Sequence, residues 1–173
     1  MPDPWLVAGL GNPGERYAAT RHNAGAMVAE RLAARLGLRL RKVRLLSLLA
    51  AEAHSGDAPL LLCVPGAFMN VCGPPLASFA RKRGGSTAGH HGLDSMVEAF
   101  RSADFYRVRL GIGRPVGRWE NVDFVLKPFA KRERDEVSLL IEAAADAVLS
   151  LASDGLTVTQ GRYNRGGARP TIA

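Results

Sequence analysis

The sequence predicts an α/β domain with a mixed, mostly parallel central sheet flanked by helices. It reads as one unit over residues 1–160, followed by a basic, flexible tail over 161–173. Three observations lead there. Short apolar runs bounded by turn residues alternate with stretches of helical periodicity, the pattern of a layered α/β fold. One of those stretches, near the C-terminus, is long and strongly amphipathic. The chain's 173 residues suit one hydrophobic core and are too few for two comfortable ones.

The elements follow in order. Trp5 to Leu10 is a short buried strand, and "GNPGERYAATRHN" after it is polar and turn-rich. Met27, Val28, Leu32 and Leu36 then fall at helical spacing, with Gly37 placed to stop the helix. Leu45 to Ala53 is apolar but of undecided type, whereas "APLLLCV", Ala58 to Val64, is short enough to be a second buried strand. Phe68, Leu76 and Phe79 indicate a helix after "MNVCGPP", ending in Arg81, Lys82 and Arg83. A glycine-rich loop, "GGSTAGHHGLDSM", leads into a short helix, and "FYRVRLGIG" alternates as a half-exposed strand should. Val137, Leu140, Ile141, Ala144, Val148 and Leu151 trace one face of the last helix, with Gly155 just beyond its end.

Composition narrows the function classes. Lys and Arg exceed Asp and Glu by 23 to 16, a formal charge of +7 that favours a polyanionic partner, nucleic acid first. The two cysteines, Cys63 and Cys72, sit in or beside apolar runs without CxxC spacing, so core thiols in a reducing compartment are expected, not a disulfide framework or a zinc site. "MPDPWLVAGL" has no basic region followed by a long apolar one, and no apolar run reaches membrane-spanning length. A cytoplasmic protein is the expectation.

Gly9, Gly11 and Gly14 match the spacing G-x-G-x-x-G, which raises a dinucleotide site. That reading fails on context. The third glycine should already lie in a helix, and an acidic residue about 20 positions on should end the next strand. Here Asn12-Pro13-Gly14 is a turn, and the later positions fall inside the Met27 to Leu36 helix. The glycines are better read as backbone needs, Gly9 and Gly11 for close packing or unusual dihedrals and Gly14 for the turn. A His in the following polar loop, within "TRHN", is suited to proton transfer near neutral pH.

Taken in order, "LGNPGERYAATRHNAG", "FMNVCG", "GGSTAGHHGL", "RVRLGIGRP" and "DFVLKPFAKRERDEV" resemble the bacterial peptidyl-tRNA hydrolase family over nearly the whole chain. The resemblance implies that family's fold and the cleavage of the ester joining a peptide to the 3′ end of tRNA, without metal or cofactor. It makes His22 the general base that activates water, and Asn12 and Asn70 catalytic partners that bind the peptide and place that water. Tyr17, Met69 and His91 become substrate-binding residues, His91 standing where the family usually has Asn. Arg109, Lys127 and Arg134 become contacts to tRNA phosphates, with Arg114, Lys131 and Arg132 adding positive surface. Such contacts hold the RNA without reading its sequence. The implied partner is peptidyl-tRNA or aminoacyl-tRNA through its acceptor stem, bound by a monomer. The residue types suit the chemistry: a base with a near-neutral pKa and neutral amide donors for a developing oxyanion.

One segment departs from the pattern. Between Arg83 and Gly84 the family has a strand, an acidic turn and another strand, about two dozen residues that this chain lacks. The carboxylate that orients the catalytic His goes with them, and in a hydrolytic triad loss of such a group costs about 10⁴-fold in turnover. Asp94, Glu15 or Asp57 could stand in for it. Two alternatives follow: acyl transfer from tRNA to an amine or hydroxyl acceptor, and RNA binding without catalysis.

Overall fold

A run of six buried residues, Leu60 to Pro65, organises the molecule. In an extended chain alternate side chains face opposite ways. Leu61 and Cys63 therefore pack on one side with Leu76, Phe79 and Met96, while Leu60 and Leu62 pack on the other with Val28, Leu32 and Ala144. A strand buried on both faces belongs in the middle of a sheet with helices above and below. The computed structural model describes residues 3–83, 92–102, 104–114, 121–164 and 170–172.

The strand is β4 (Ala58–Pro65). On one side it pairs in parallel with β1 (Trp5–Ala8), Trp5 opposite Leu60 and Ala8 opposite Cys63. On the other it pairs antiparallel with β3 (Leu48–Ser55), through a two-residue hairpin turn at Gly56-Asp57, and β3 pairs antiparallel with the short β2 (Arg41–Lys42). The order is β1-β4-β3-β2. The sheet is mixed as expected, but among the described residues it is not mostly parallel, because β2, β3 and β4 form a local meander. The undecided stretch at Leu45 to Ala53 is largely β3.

On one face lie α2 (Ala24–Arg35) and α6 (Arg134–Asp154), the two helices with the clearest periodicity. They share the cluster around Leu32 and Ala144, and their exposed rims carry Arg31–Glu142 at 3.2 Å and Arg35–Asp146 at 2.7 Å. Exposed pairs of this kind contribute well under about 1 kcal/mol each, so apolar burial decides the packing. On the other face lie α3 (Gly73–Arg83) and α4 (Gly92–Phe100), which pack together. Cys63 and Cys72 are fully buried in this second layer, the core thiols expected of them.

Shorter elements among the described residues include α1 (Glu15–Ala18), α5 (Asn121–Val125) and β5 (Val108–Arg109). The predicted strand over "FYRVRLGIG" is thus reduced to two residues. Its partner is β6 (Thr171–Ile172), antiparallel, with Val108 opposite Ile172. The C-terminal stretch read as a flexible tail is ordered where it is described. Gly161 lies within α7 (Leu156–Tyr163), and Asn164 accepts from the Ile172 N–H at 2.7 Å while donating to its carbonyl at 2.9 Å. Ile172 is buried against Ala147 and Leu151 of α6, which ties the chain end to the core. Gly84 to His91 lies outside the described residues, His91 included.

Candidate active site

Because β1 and β4 are parallel, the loops that follow them leave the same edge of the sheet, which is where α/β folds place their ligands. After β1 the chain passes through α1 and a 3₁₀ turn and comes back as α2 against the end of the strand, so backbone passes close to backbone. A Cβ on Gly9 would lie 2.5 Å from the Gly25 carbonyl oxygen and 2.6 Å from the Ala29 methyl. One on Gly11 would lie 2.9 Å from the Asn23 side-chain amide. The first two glycines of the dinucleotide-like pattern thus serve close packing between strand end and helix.

That packing builds a clasp. The Asn23 amide donates to the Asn12 carbonyl at 2.9 Å, and its oxygen accepts from the Asn12 N–H at 2.9 Å. The Asn12 side-chain oxygen in turn accepts from the Met69 N–H at 2.9 Å. Since Met69 N–H can only donate, the orientation of the Asn12 amide follows: its oxygen is the group engaged and its NH₂ remains as a donor. Asn12 thereby joins the two loops. Met69, buried, and Asn70, exposed, lie on a single 3₁₀ turn, Met69–Val71. Phe68 and Val71 beside them are exposed apolar side chains, and the Tyr17 ring meets Phe68 edge-on with centroids 6.2 Å apart.

His22 is half-buried at the centre of a second 3₁₀ turn, Arg21–Asn23, whose outer residues are both buried. Asn23 secures one side through the clasp. Arg21 secures the other: its guanidinium meets both carboxylate oxygens of Glu133, at 2.7 and 2.6 Å, and the Pro128 carbonyl at 2.9 Å. It lies over the rings of Phe124 and Phe129, 4.4 and 5.0 Å from their centroids. The Arg21 N–H donates to the Lys127 carbonyl at 3.1 Å, and Thr20 bridges to Pro128. The Glu133 carboxyl is held below the usual range by the Ala130 N–H and then by Arg21.

The fold brings together Asn12, His22, Met69 and Asn70, with Tyr17 at their edge. His22, Met69 and Arg109 also line one largely apolar cavity of about 890 Å³ that runs along β1 beneath α2 and α6. Lys127 is exposed on the segment bonded to the His22 turn, and Arg134 is exposed at the first residue of α6. His91 is outside the described residues. Of the three carboxylates considered for orienting His22, Asp57 lies at the far end of β4. At about 3.3 Å per residue it is more than about 20 Å from the site edge. Asp94 opens α4, and the adjacent Ser95 hydroxyl accepts from the Gly73 N–H at 3.0 Å, beside the Asn70 turn. Among the described residues no group of three or more His, Cys, Asp or Glu side chains could hold a metal ion. Arg21 and Asn23 escaped the sequence reading as site residues, although both flank His22 in "TRHN". Their partners lie far off in sequence.

Residues 6–83 and 74–171 each match the family model described as peptidyl-tRNA hydrolase. The chain belongs to the peptidyl-tRNA hydrolase family. A peptidyl-tRNA hydrolase of Frankia casuarinae is 45% identical over 186 aligned positions, covering 93% of this chain and 94% of the relative. One of Nocardia farcinica is 40% identical, covering 93% of this chain and 96% of the relative. Among solved structures, a peptidyl-tRNA hydrolase in complex with N-propanol superposes with a TM-score of 0.80 at 25% identity, covering 92% of this chain and 93% of that one. The peptidyl-tRNA hydrolase of Acinetobacter baumannii gives 0.77 at 26% identity, with the same coverage. The α/β architecture inferred from the sequence is therefore that of peptidyl-tRNA hydrolases.

Proposed function

We propose that this protein hydrolyses the ester between an N-blocked aminoacyl or peptidyl group and tRNA, with His22 as general base. The observation that carries this reading is the clasp: His22 sits on a turn pinned on both sides, its neighbour Asn23 ties that turn to the Asn12 backbone, and the Asn12 side-chain oxygen is engaged by the Met69 N–H so that its NH₂ is the group that can donate. An ester needs that pair. His22 removes a proton from water as the oxygen attacks the acyl carbon, and the amide NH₂ groups of Asn12 and Asn70 stabilise the oxyanion that forms. Collapse of the tetrahedral adduct breaks the bond to the ribose oxygen, which takes the proton back from His22. The products are a free carboxylic acid and tRNA.

The rest of the edge fits the substrate. Exposed Phe68 and Val71 offer apolar surface to peptide side chains beside Asn70, with Tyr17 against Phe68 and Met69 buried behind them; His91, outside the described residues, is assigned to substrate binding on the family resemblance alone. Arg109, Lys127 and Arg134 would face acceptor-stem phosphates. An alignment of 186 positions against a chain of 173 residues, and a family model matched in two overlapping stretches, support the reading that a strand-turn-strand segment is missing. The protein would act as a monomer in the cytoplasm. No helix among the described residues is long and apolar enough to cross a membrane.

The test is release of labelled N-acetyl-aminoacyl groups from tRNA by the purified protein, with and without a small amine. The expected product is free acid in both cases, with turnover falling about 10²-fold or more in His22→Ala. Product formed only with the amine would overturn hydrolysis in favour of acyl transfer. A folded protein that binds tRNA and releases nothing would be an RNA binder.

A further inference from the structure

We propose that Arg21 is a positioning residue for His22, holding the catalytic turn against the segment 124–133 that carries Lys127. The inference rests on the hydrolytic reading above and adds a residue to it.

A three-residue 3₁₀ turn has little stiffness of its own, since its hydrogen bonds are few and poorly aligned. His22 needs anchors, and its neighbours supply them on opposite sides. Asn23 ties it to the loop after β1. Arg21 ties it to a segment more than a hundred residues away, through Glu133 and the carbonyls of Lys127 and Pro128. The guanidinium is 8% exposed and covered by Phe124 and Phe129.

Stability is a poor reason to keep an ion pair in such a place. Arg21 is buried but Glu133 is 31% exposed, so desolvation of the one and solvent screening of the other both offset the attraction, and Glu133 left without Arg21 can still meet water. What the guanidinium offers and an apolar side chain does not is direction. Nη2 donates to both Glu133 oxygens while Nη1 donates to the Pro128 carbonyl, so two nitrogens of one rigid plane are tied to different groups and the plane is held in direction. The main chain of Arg21 is bonded to the same segment. Fork and main chain together fix the next residue, His22, in angle as well as place. Displacement of a reacting group by 1 Å costs about 10²-fold in rate.

The experiment compares the parent protein with Arg21→Met, Arg21→Lys and Glu133→Gln. Met fills the slot between the two rings without the fork, so Arg21→Met should stay folded, with Tm within about 5 °C of the parent. Its kcat should fall about 10- to 100-fold while KM changes less than twofold, and Lys, a point charge, should not restore it. A kcat equal to the parent's, measured where Arg21→Met is folded, overturns the proposal. A second measurement does not need turnover. Relaxation of ¹³C in the His22 ring, recorded at one pH for all variants, should show a loss of order in Arg21→Met and Glu133→Gln, with His54 as internal control. Unchanged His22 ring order overturns the proposal as well. If the parent releases no acyl groups, the hydrolytic reading fails while the ring measurement still decides the positioning role.

Discussion

Asn23→Ala tests the clasp that assembles the site. Asn23 is 5% exposed and makes two neutral hydrogen bonds to the backbone of one residue, Asn12. Intact, such bonds are worth about 1 kcal/mol each, and truncation to Ala also leaves a half-buried N–H and C=O without their partners. The expected loss is about 2–4 kcal/mol. With a urea slope of about 2 kcal/mol per M, the unfolding midpoint should fall by about 1–2 M. Asn23→Asp sharpens the test, because it preserves the shape. Its carboxylate still accepts from the Asn12 N–H, but an oxygen now faces the Asn12 carbonyl where a donor stood. It should therefore be at least as damaging as Ala. Urea denaturation followed by circular dichroism measures both. A loss below about 1 kcal/mol for Ala, or an Asp variant as stable as the parent, would refute the claim that this pair of bonds holds the two loops.

Two further outcomes follow from the charges and thiols. Glu133 has its carboxyl held down by the Ala130 N–H, Arg21 and Arg132, so its contribution is fully present above the ordinary carboxylate value of about 4.3 and is lost as pH falls through the folded value. The stability gap between the parent and Glu133→Gln should be flat from about pH 5.5 to 8 and narrow below about 4.3; a gap that widens on acidification would contradict the assigned bonds. Burial pushes the Cys72 thiol up to about 11 and raises that of Cys63 further. Neither should react with Ellman's reagent at pH 8 until urea unfolds the chain, and rapid labelling of the native protein would contradict their place in the core.

How much of this was legible depended on the distance between partners. The helices α2 and α6 announce themselves because their apolar stripes repeat over several turns, and β4 because a short, wholly apolar run has few other uses. β3 was harder. "LLAAEAHS" is apolar without clean alternation, and only its pairing with β4 makes it a strand. β5 shrank and β6 was missed for one shared reason: Val108 and Ile172 pair across much of the chain, and nothing local marks Thr171 as a strand residue. The glycine pattern was legible as packing once the dinucleotide context failed. His22, Asn12 and Asn70 are proposed from motif order. Arg21 stood beside His22 in plain view, yet its burial depends on Glu133 and Pro128, which no reading of the loop alone could supply.

The parallel pairing of β1 with β4 has a bearing on when the site comes into being. The β3–β4 hairpin closes over two residues and can form early, but Trp5 meets Leu60 only after the whole stretch between them has been looped back. Asn12 reaches the Met69 N–H only once that long closure is made. In the proposed mechanism the site therefore depends on a non-local closure, the kind of contact that carries the larger loop entropy. Until residues 66–72 are made and docked, the nascent polypeptide carries His22 and Asn12 without Asn70 and without the Met69 N–H that orients the Asn12 side chain.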